Sequence, residues 1–204
     1  MCGIYHIGRE LDSGVENLMK MVNRERNAGS MVLPQKLSFQ ERDVRPTDLA
    51  PVLWGNEDGV ILRSVRWGLP GFQKGQVIFN ARCETAMEKS TFRDGVQHGR
   101  IVIPAVSFYE WNKRKEKNTF TRTDGRILYM AGFCRGSGEE ERFAILTTAA
   151  NDSMQPVHDR MPLILEESEV GPWLYQEDWT ESLLRKVPGA LSRSAEYEQL
   201  SLFS

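Results

Sequence analysis

Apolar and polar positions alternate through much of this chain, and the period of that alternation separates strands from helices. Residues 2–8 (CGIYHIG) alternate weakly and read as a short strand at the start of the sequence. A strand there would hold Cys2 in place, where a tail would leave it free. Ser13-Gly14-Val15-Glu16 has the pattern of a capping box. Val15, Leu18, Met19 and Val22 then share one helical face, and Gly29 reads as the stop. A turn-rich connector at 44–48 precedes two strand-like runs, 50–54 and 60–67. Gly55-Asn56-Glu57-Asp58-Gly59 joins them as a hairpin. Residues 67–72 (WGLPGF) break the strand with two glycines and a proline between aromatics. Such a loop either stacks on a nucleobase or closes one end of a core.

A short strand at 77–80 and a helical turn at 84–89 follow. The strongest strand signal is 100–111 (RIVIPAVSFYEW), ended by a charged turn at 112–118. Strands are predicted again at 119–123, 127–135 and 142–148, and helices at 166–175 and 180–186. From Pro188 the sequence becomes aperiodic and rich in Ser, Ala and Glu, so 188–204 reads as a flexible tail. Adjacent strands with short turns predict an α+β single domain over 1–187. Its core is a mostly antiparallel, curled or barrel-like β structure with flanking helices.

Composition narrows the function classes. The 204 residues carry a net charge of −2 with 40% hydrophobic and 26% charged positions, as expected of a globular chain. That balance argues against a wholly basic nucleic-acid binder and leaves room for a local basic groove. No apolar run approaches the ~20 residues of a membrane span. No leader pattern opens the chain, so a cytoplasmic monomer is expected. Cys2, Cys83 and Cys134 are too widely spaced for a disulfide framework or a zinc knuckle, and His6, His98 and His158 are equally scattered. No metal or cofactor is expected, and Cys83 and Cys134 read as small buried apolar residues.

Cys2 is the first candidate for chemistry. Removal of Met1 leaves a thiol and a free α-amine on one residue, with reference pKa values near ~8.5 and ~8. A 1,2-aminothiol attacks aldehydes: the amine forms an imine and the thiol closes a thiazolidine. It also attacks acyl carbons as a plain thiolate. The alternative is a surface cysteine beside a frayed end. Glu110 interrupts an aromatic strand, on the face of Phe108 and opposite Tyr109 and Trp111. It is either a solvent-facing carboxylate or, if buried, an acid/base. His158-Asp159-Arg160 lies in a loop beside prolines, as a solvated surface turn or as a proton carrier with an anion-holding arginine. Asn80 and Arg82 could cap a turn and pair at the surface. They could also orient a carbonyl and grip a phosphate.

Five motifs occur together in order: Met1-Cys2-Gly3, Trp67-Gly68-Leu69, Asn80-Ala81-Arg82-x-Glu84-Thr85, Phe108-Tyr109-Glu110-Trp111 and His158-Asp159-Arg160-Met161-Pro162. In this the chain resembles the SOS-response-associated peptidase (SRAP) family over about residues 2–175. The resemblance implies the SRAP fold and a sensor of abasic sites in single-stranded DNA, acting in the DNA damage response near the nucleoid. Cys2 would form a thiazolidine with the opened sugar, Asn80 would orient the reacting groups, and Glu110 would shuttle protons. His158 would assist sugar opening and adduct reversal. Arg82 and Arg160 would hold phosphates, and Trp67, Gly68 and Leu69 would meet neighbouring bases. The family name also implies a peptidase that removes its own Met1. Ile4 stands where the family usually has arginine, which removes or moves one phosphate contact. Phe72 stands where tryptophan is common.

The last residues, Gln199-Leu200-Ser201-Leu202-Phe203, resemble the peptide with which bacterial repair proteins grip the DNA sliding clamp. Leu202 and Phe203 would enter an apolar pocket, Gln199 would bond at its rim, and Leu200 belongs to the same clamp-binding stretch. Two other readings remain open. One is an N-terminal-cysteine amidohydrolase, which needs an oxyanion-hole Asn-Gly pair that the sequence lacks. The other is a non-catalytic adaptor for single-stranded DNA or the clamp.

Overall fold

The computed structural model describes residues 3–26 and 37–195. Cys2 and the candidate clamp peptide Gln199–Phe203 lie outside the described residues, as does Gly29.

The chain opens with β1 (Ile4–Ile7) and α1 (Glu10–Glu25), followed by β2 (Arg42–Val44) and the hairpin β3 (Leu49–Asn56) and β4 (Gly59–Trp67). Next come β5 (Leu69–Pro70), β6 (Val77–Ile78), β7 (Asn80–Arg82), α2 (Cys83–Ala86) and α3 (Ser90–His98). The strands β8 (Arg100–Ala105), β9 (Ser107–Trp111), β10 (Lys117–Arg122), β11 (Leu128–Arg135) and β12 (Arg142–Ala149) build the centre. The chain continues through β13 (Arg160–Pro162), β14 (Ile164–Leu165), α4 (Glu167–Tyr175), α5 (Thr180–Leu184) and β15 (Leu191–Ala195).

Two large sheets result. One runs β15-β10-β9-β1-β2 and is antiparallel at every pairing. The other follows β13-β12-β4-β3-β8-β11-β14, and the pairing of β12 with β11 joins its path into a ring. The α+β single-domain expectation therefore stands, with a ring-like sheet. The antiparallel expectation needs one amendment, because β12 runs parallel to both β4 and β7. Ile145 of β12 faces Asn80 across one edge and Gly132 across the other. Thr147 likewise faces Arg82 on one edge and Pro162 on the other. β12 is thus the strand against which two motif-bearing segments are set.

Local chemistry explains where the predicted elements moved. The run 100–111 is one apolar stretch but two strands. The Val106 N–H donates to His6 O at 2.9 Å, so the chain leaves the ring at Ala105 and enters the other sheet beside β1. Ser13 does not cap α1, which already begins at Glu10. Gly14 sits mid-helix because a Cβ there would lie 2.8 Å from Ile127 Cδ1. Val15, Leu18, Met19 and Val22 are buried on one face as the spacing predicts, Leu11 joins them from the earlier start, and the helix lies against β4 and β8. The stretch after Pro188 is not wholly a tail. Leu191–Ala195 pairs antiparallel with β10, from Leu191 opposite Arg122 to Ala195 opposite Asn118. Its short polar alternation hides the strand from periodicity, since only Leu191 and Ala195 point inward.

Candidate functional site

The candidate residues come from two places that the fold joins. Glu110 lies on β9, between β1 and β10, with Asn118 directly opposite it. It is only 6% exposed, and Phe108 on the same face is fully buried and stacks on Phe120 at 5.2 Å. The carboxylate therefore belongs to the interior face, and the solvent-facing reading is set aside. Ile4 pairs with Tyr109 and Tyr5 with Phe108, so the sequence-predicted first strand exists and runs beside Glu110.

Trp67 links this face to Asn80. Its ring lies 5.2 Å from Tyr5, 5.9 Å from Phe79 and 6.1 Å from Phe143. Its indole N–H donates to Phe79 O at 2.8 Å, immediately before Asn80. Gly68 follows at φ +110°, and a Cβ there would fall 2.3 Å from Val77 Cγ1, so only glycine fits the turn. The expectation that Trp67 and Leu69 meet nucleobases is corrected: both side chains are buried and form the wall behind the site. The exposed aromatic of that loop is Phe72, at 83%. An aromatic flanked by Gly and Pro gives no sequence signal for which of two rings faces solvent.

Asn80 and Arg82 flank β12 on one edge, and the 158–162 segment flanks it on the other. Arg82 is exposed and open to an anion. Arg160 is placed differently from the phosphate grip expected of it. Its Nη1 and Nη2 meet the two oxygens of Glu84 at 2.6 and 2.8 Å, and Nη2 also donates to Thr147 O at 2.6 Å. The hydrogen bond from Arg160 is the main reason the Glu84 carboxyl is held below its ordinary range. In the sequence Glu84 stands only as one position of a motif; its pairing partner lies 76 residues away and leaves no local trace.

The His158 loop is tied to the sheet that carries Glu110. Asn151 Nδ2 donates to Pro188 O and Gly189 O at 3.0 and 2.9 Å, and Leu191 N–H donates to Ser153 Oγ at 3.0 Å. The segment ending in β15 thereby spans from the His158 loop to β10 and, through it, to β9. His158 itself is half-buried, with Nδ1 accepting the Arg160 backbone N–H at 2.9 Å.

A further cluster that the sequence did not single out lies on the outer side of β1. His6 Nδ1 is 3.0 Å from Asp43 Oδ1, and Tyr109 Oη donates to the same oxygen at 3.2 Å. Burial, then the nearby Asp43 charge, raises the Tyr109 phenol above its ordinary range. Cys83 and Cys134 are buried as expected, and burial pushes the Cys83 thiol up to about 12. Among the described residues no group of three or more His, Cys, Asp or Glu could hold a metal ion.

Comparison with known proteins agrees with the motif order. The family model described as SOS response associated peptidase (SRAP) matches residues 1–201. The chain belongs to this family. It is 30% identical over 206 residues to abasic site processing protein YoqW of Bacillus subtilis, covering 91% of this chain and 87% of that one. It is 34% identical over 144 residues to abasic site processing protein YedK of Escherichia coli strain K12, covering 66% of this chain and 64% of the relative. That second match thus spans less than two thirds of the E. coli protein's length. A phage-related protein of Bordetella bronchiseptica shares the fold at a TM-score of 0.75 and 21% identity, over 95% of this chain and 93% of that one. No helix among the described residues is long and apolar enough to cross a membrane.

Proposed function

We propose that this SRAP-family chain processes abasic sites in single-stranded DNA, by trapping the sugar aldehyde on Cys2 once Met1 has been removed. The observation that carries the reading is the buried Glu110 beside the strand that begins at Ile4. Ile4 pairs with Tyr109, so the first residue of β1 lies across from the chain neighbour of Glu110. A buried carboxylate thus lies close to the start of β1, and Ile4 there follows Cys2 by two positions in the sequence. The relatives' names supply the substrate class.

The chemistry needs no external reagent. The Cys2 amine adds to C1′ of the ring-opened sugar, and loss of one water gives the imine. The thiol sulfur then adds to the same carbon while nitrogen takes the proton, closing the thiazolidine. Glu110 relays protons in both steps, protonating the departing hydroxyl and accepting the thiol proton. Asn80 orients the opened sugar. Holding amine, thiol and aldehyde together makes ring closure intramolecular, a large part of the acceleration. Arg82 supplies the phosphate contact, and Phe72 takes the base-contacting role first expected of Trp67. His158 acts in sugar opening and adduct reversal.

The deciding experiment incubates the full chain with abasic single-stranded DNA and resolves the products on a denaturing gel. A covalent band lost in Cys2→Ala supports the reading. No band together with glutamine hydrolysis would replace it with an amidohydrolase, and no band with a native-gel shift would replace it with an adaptor. For the partner, the sequence of Gln199–Phe203 supports binding to the sliding clamp. Deleting 199–204 should abolish clamp capture and leave crosslinking intact; unchanged capture would dismiss this partner.

A further inference from the structure

Glu84 has no part in the chemistry above, yet it governs a group that does. Its carboxylate receives both terminal nitrogens of Arg160 in a two-pronged pair, and Arg160 Nη2 reaches Thr147 O as well. The Arg160 side chain is 12% exposed and that of Glu84 50%, so the guanidinium is largely covered while its carboxylate partner is half in water, and the two-pronged geometry is what fixes the pair. Arg160 is the first residue of β13, and its backbone faces Ala149 of β12. Side chain and backbone are thus both fixed. The backbone N–H of this immobilised residue donates to His158 Nδ1 at 2.9 Å.

The same Nδ1 lies 2.9 Å from Asp159 Oδ1. These two neighbours require opposite states of the ring. A backbone N–H needs a lone pair on Nδ1, which puts the proton of the neutral imidazole on Nε2. A carboxylate needs a proton on Nδ1, which leaves Nε2 as the lone pair. Asp159 is 85% exposed and shares its carboxylate with water, whereas the Arg160 N–H is held in place.

We infer that the Glu84–Arg160 ion pair is a positioning device for His158, keeping the Arg160 N–H on Nδ1 so that the neutral ring presents Nε2–H as a hydrogen-bond donor. Without the clamp, Asp159 captures Nδ1 and the ring presents an acceptor instead. The inference rests on the proposed abasic-site reading only for what Nε2–H is used for, namely donation to the sugar oxygen during opening and reversal. The tautomer itself is independent of substrate.

The test is nitrogen NMR of protein labelled at histidine. The three histidines are His6, His98 and His158, and His158→Ala identifies the signals of interest. Wild type is expected to show a bare Nδ1 and a protonated Nε2 at His158. Glu84→Ala is expected to reverse that pattern, and Glu84→Ala with Asp159→Ala to restore Nε2–H, because the competing carboxylate is gone. If Glu84→Ala fails to fold, as judged by its thermal transition, Glu84→Gln keeps one acceptor and should show a mixture of the two tautomers. His158 signals that are identical in wild type and in a folded Glu84 variant would overturn the inference. So would a protonated Nδ1 in wild type. Crosslink reversal should slow on the order of tenfold in the Glu84 variant with DNA affinity unchanged. Should wild type form no crosslink, the functional reading fails and the nitrogen spectra still decide this one. A normal crosslink with unmoved spectra sinks the positioning role alone.

Discussion

Trp67→Phe separates a structural tryptophan from a DNA-contacting one. The indole is fully buried, and its N–H bonds to Phe79 O at 2.8 Å. Phenylalanine keeps the contacts with Tyr5, Phe79 and Phe143 but loses the donor and part of the ring. Phe79 O still accepts from the Ile145 N–H at 3.1 Å, so no carbonyl is left bare. The lost hydrogen bond costs about 1 kcal/mol. The roughly 40 Å² of apolar ring area removed costs about 1 kcal/mol more at ~25 cal/mol per Å². The sum, about 2 kcal/mol, lowers the midpoint of thermal unfolding by about 4–8 °C in a domain of this size. Circular dichroism in a urea series measures it without relying on tryptophan emission. Phe72→Ala is the matched control. It should leave stability within about 0.5 kcal/mol and weaken single-stranded DNA binding by about 1–3 kcal/mol. A Trp67→Phe protein of unchanged stability that loses roughly tenfold in DNA affinity would refute the buried-wall assignment.

Glu110→Gln preserves shape and removes the proton relay, so crosslink formation should slow by about 10²–10⁴-fold with little change in unfolding; an unaltered rate in a time course would remove Glu110 from the chemistry. Arg100 donates to the Trp173, Val96 and Gln97 carbonyls and closes the C-terminal end of α3, so Arg100→Ala should destabilise by about 3 kcal/mol in urea melts. Glu84 titrates below its unfolded value because of Arg160. Its contribution to stability is therefore present above pH ~4.3 and lost as pH falls through the folded value. The gap in urea midpoint between wild type and Glu84→Gln at pH 7 should close on acidification below that point; a constant gap would show that the pair carries no such linkage. With burial raising both remaining thiols, native Cys2→Ala should take up no thiol reagent at pH 8 and label at Cys83 and Cys134 only once unfolded.

Particular residues show how far periodicity reaches. The α1 face, the β3–β4 hairpin and the strands through 142–148 were legible because each is a local pattern read against solvent or core. Glu110 could be assigned to the face of Phe108 from strand alternation, but whether that face was dry depended on Phe120 and Asn118, which arrive from β10. The split of 100–111 at Val106 depended on an acceptor at His6, far upstream in the first strand. β15 was missed because a strand supported by its neighbour's backbone needs few apolar side chains of its own.

The sequence by itself determined the family. Five ordered motifs, the first of them holding the cysteine after the initiator, carry enough specific chemistry to identify it without a structure. Tertiary structure decided which side chains are exposed and which are buried or paired. Trp67 became a wall, Phe72 the exposed ring, and Arg160 a fixed partner of Glu84 rather than an open grip. The reason is physical. Residue type sets what a side chain can do, but burial and partner choice depend on segments distant in sequence, and no local pattern encodes them.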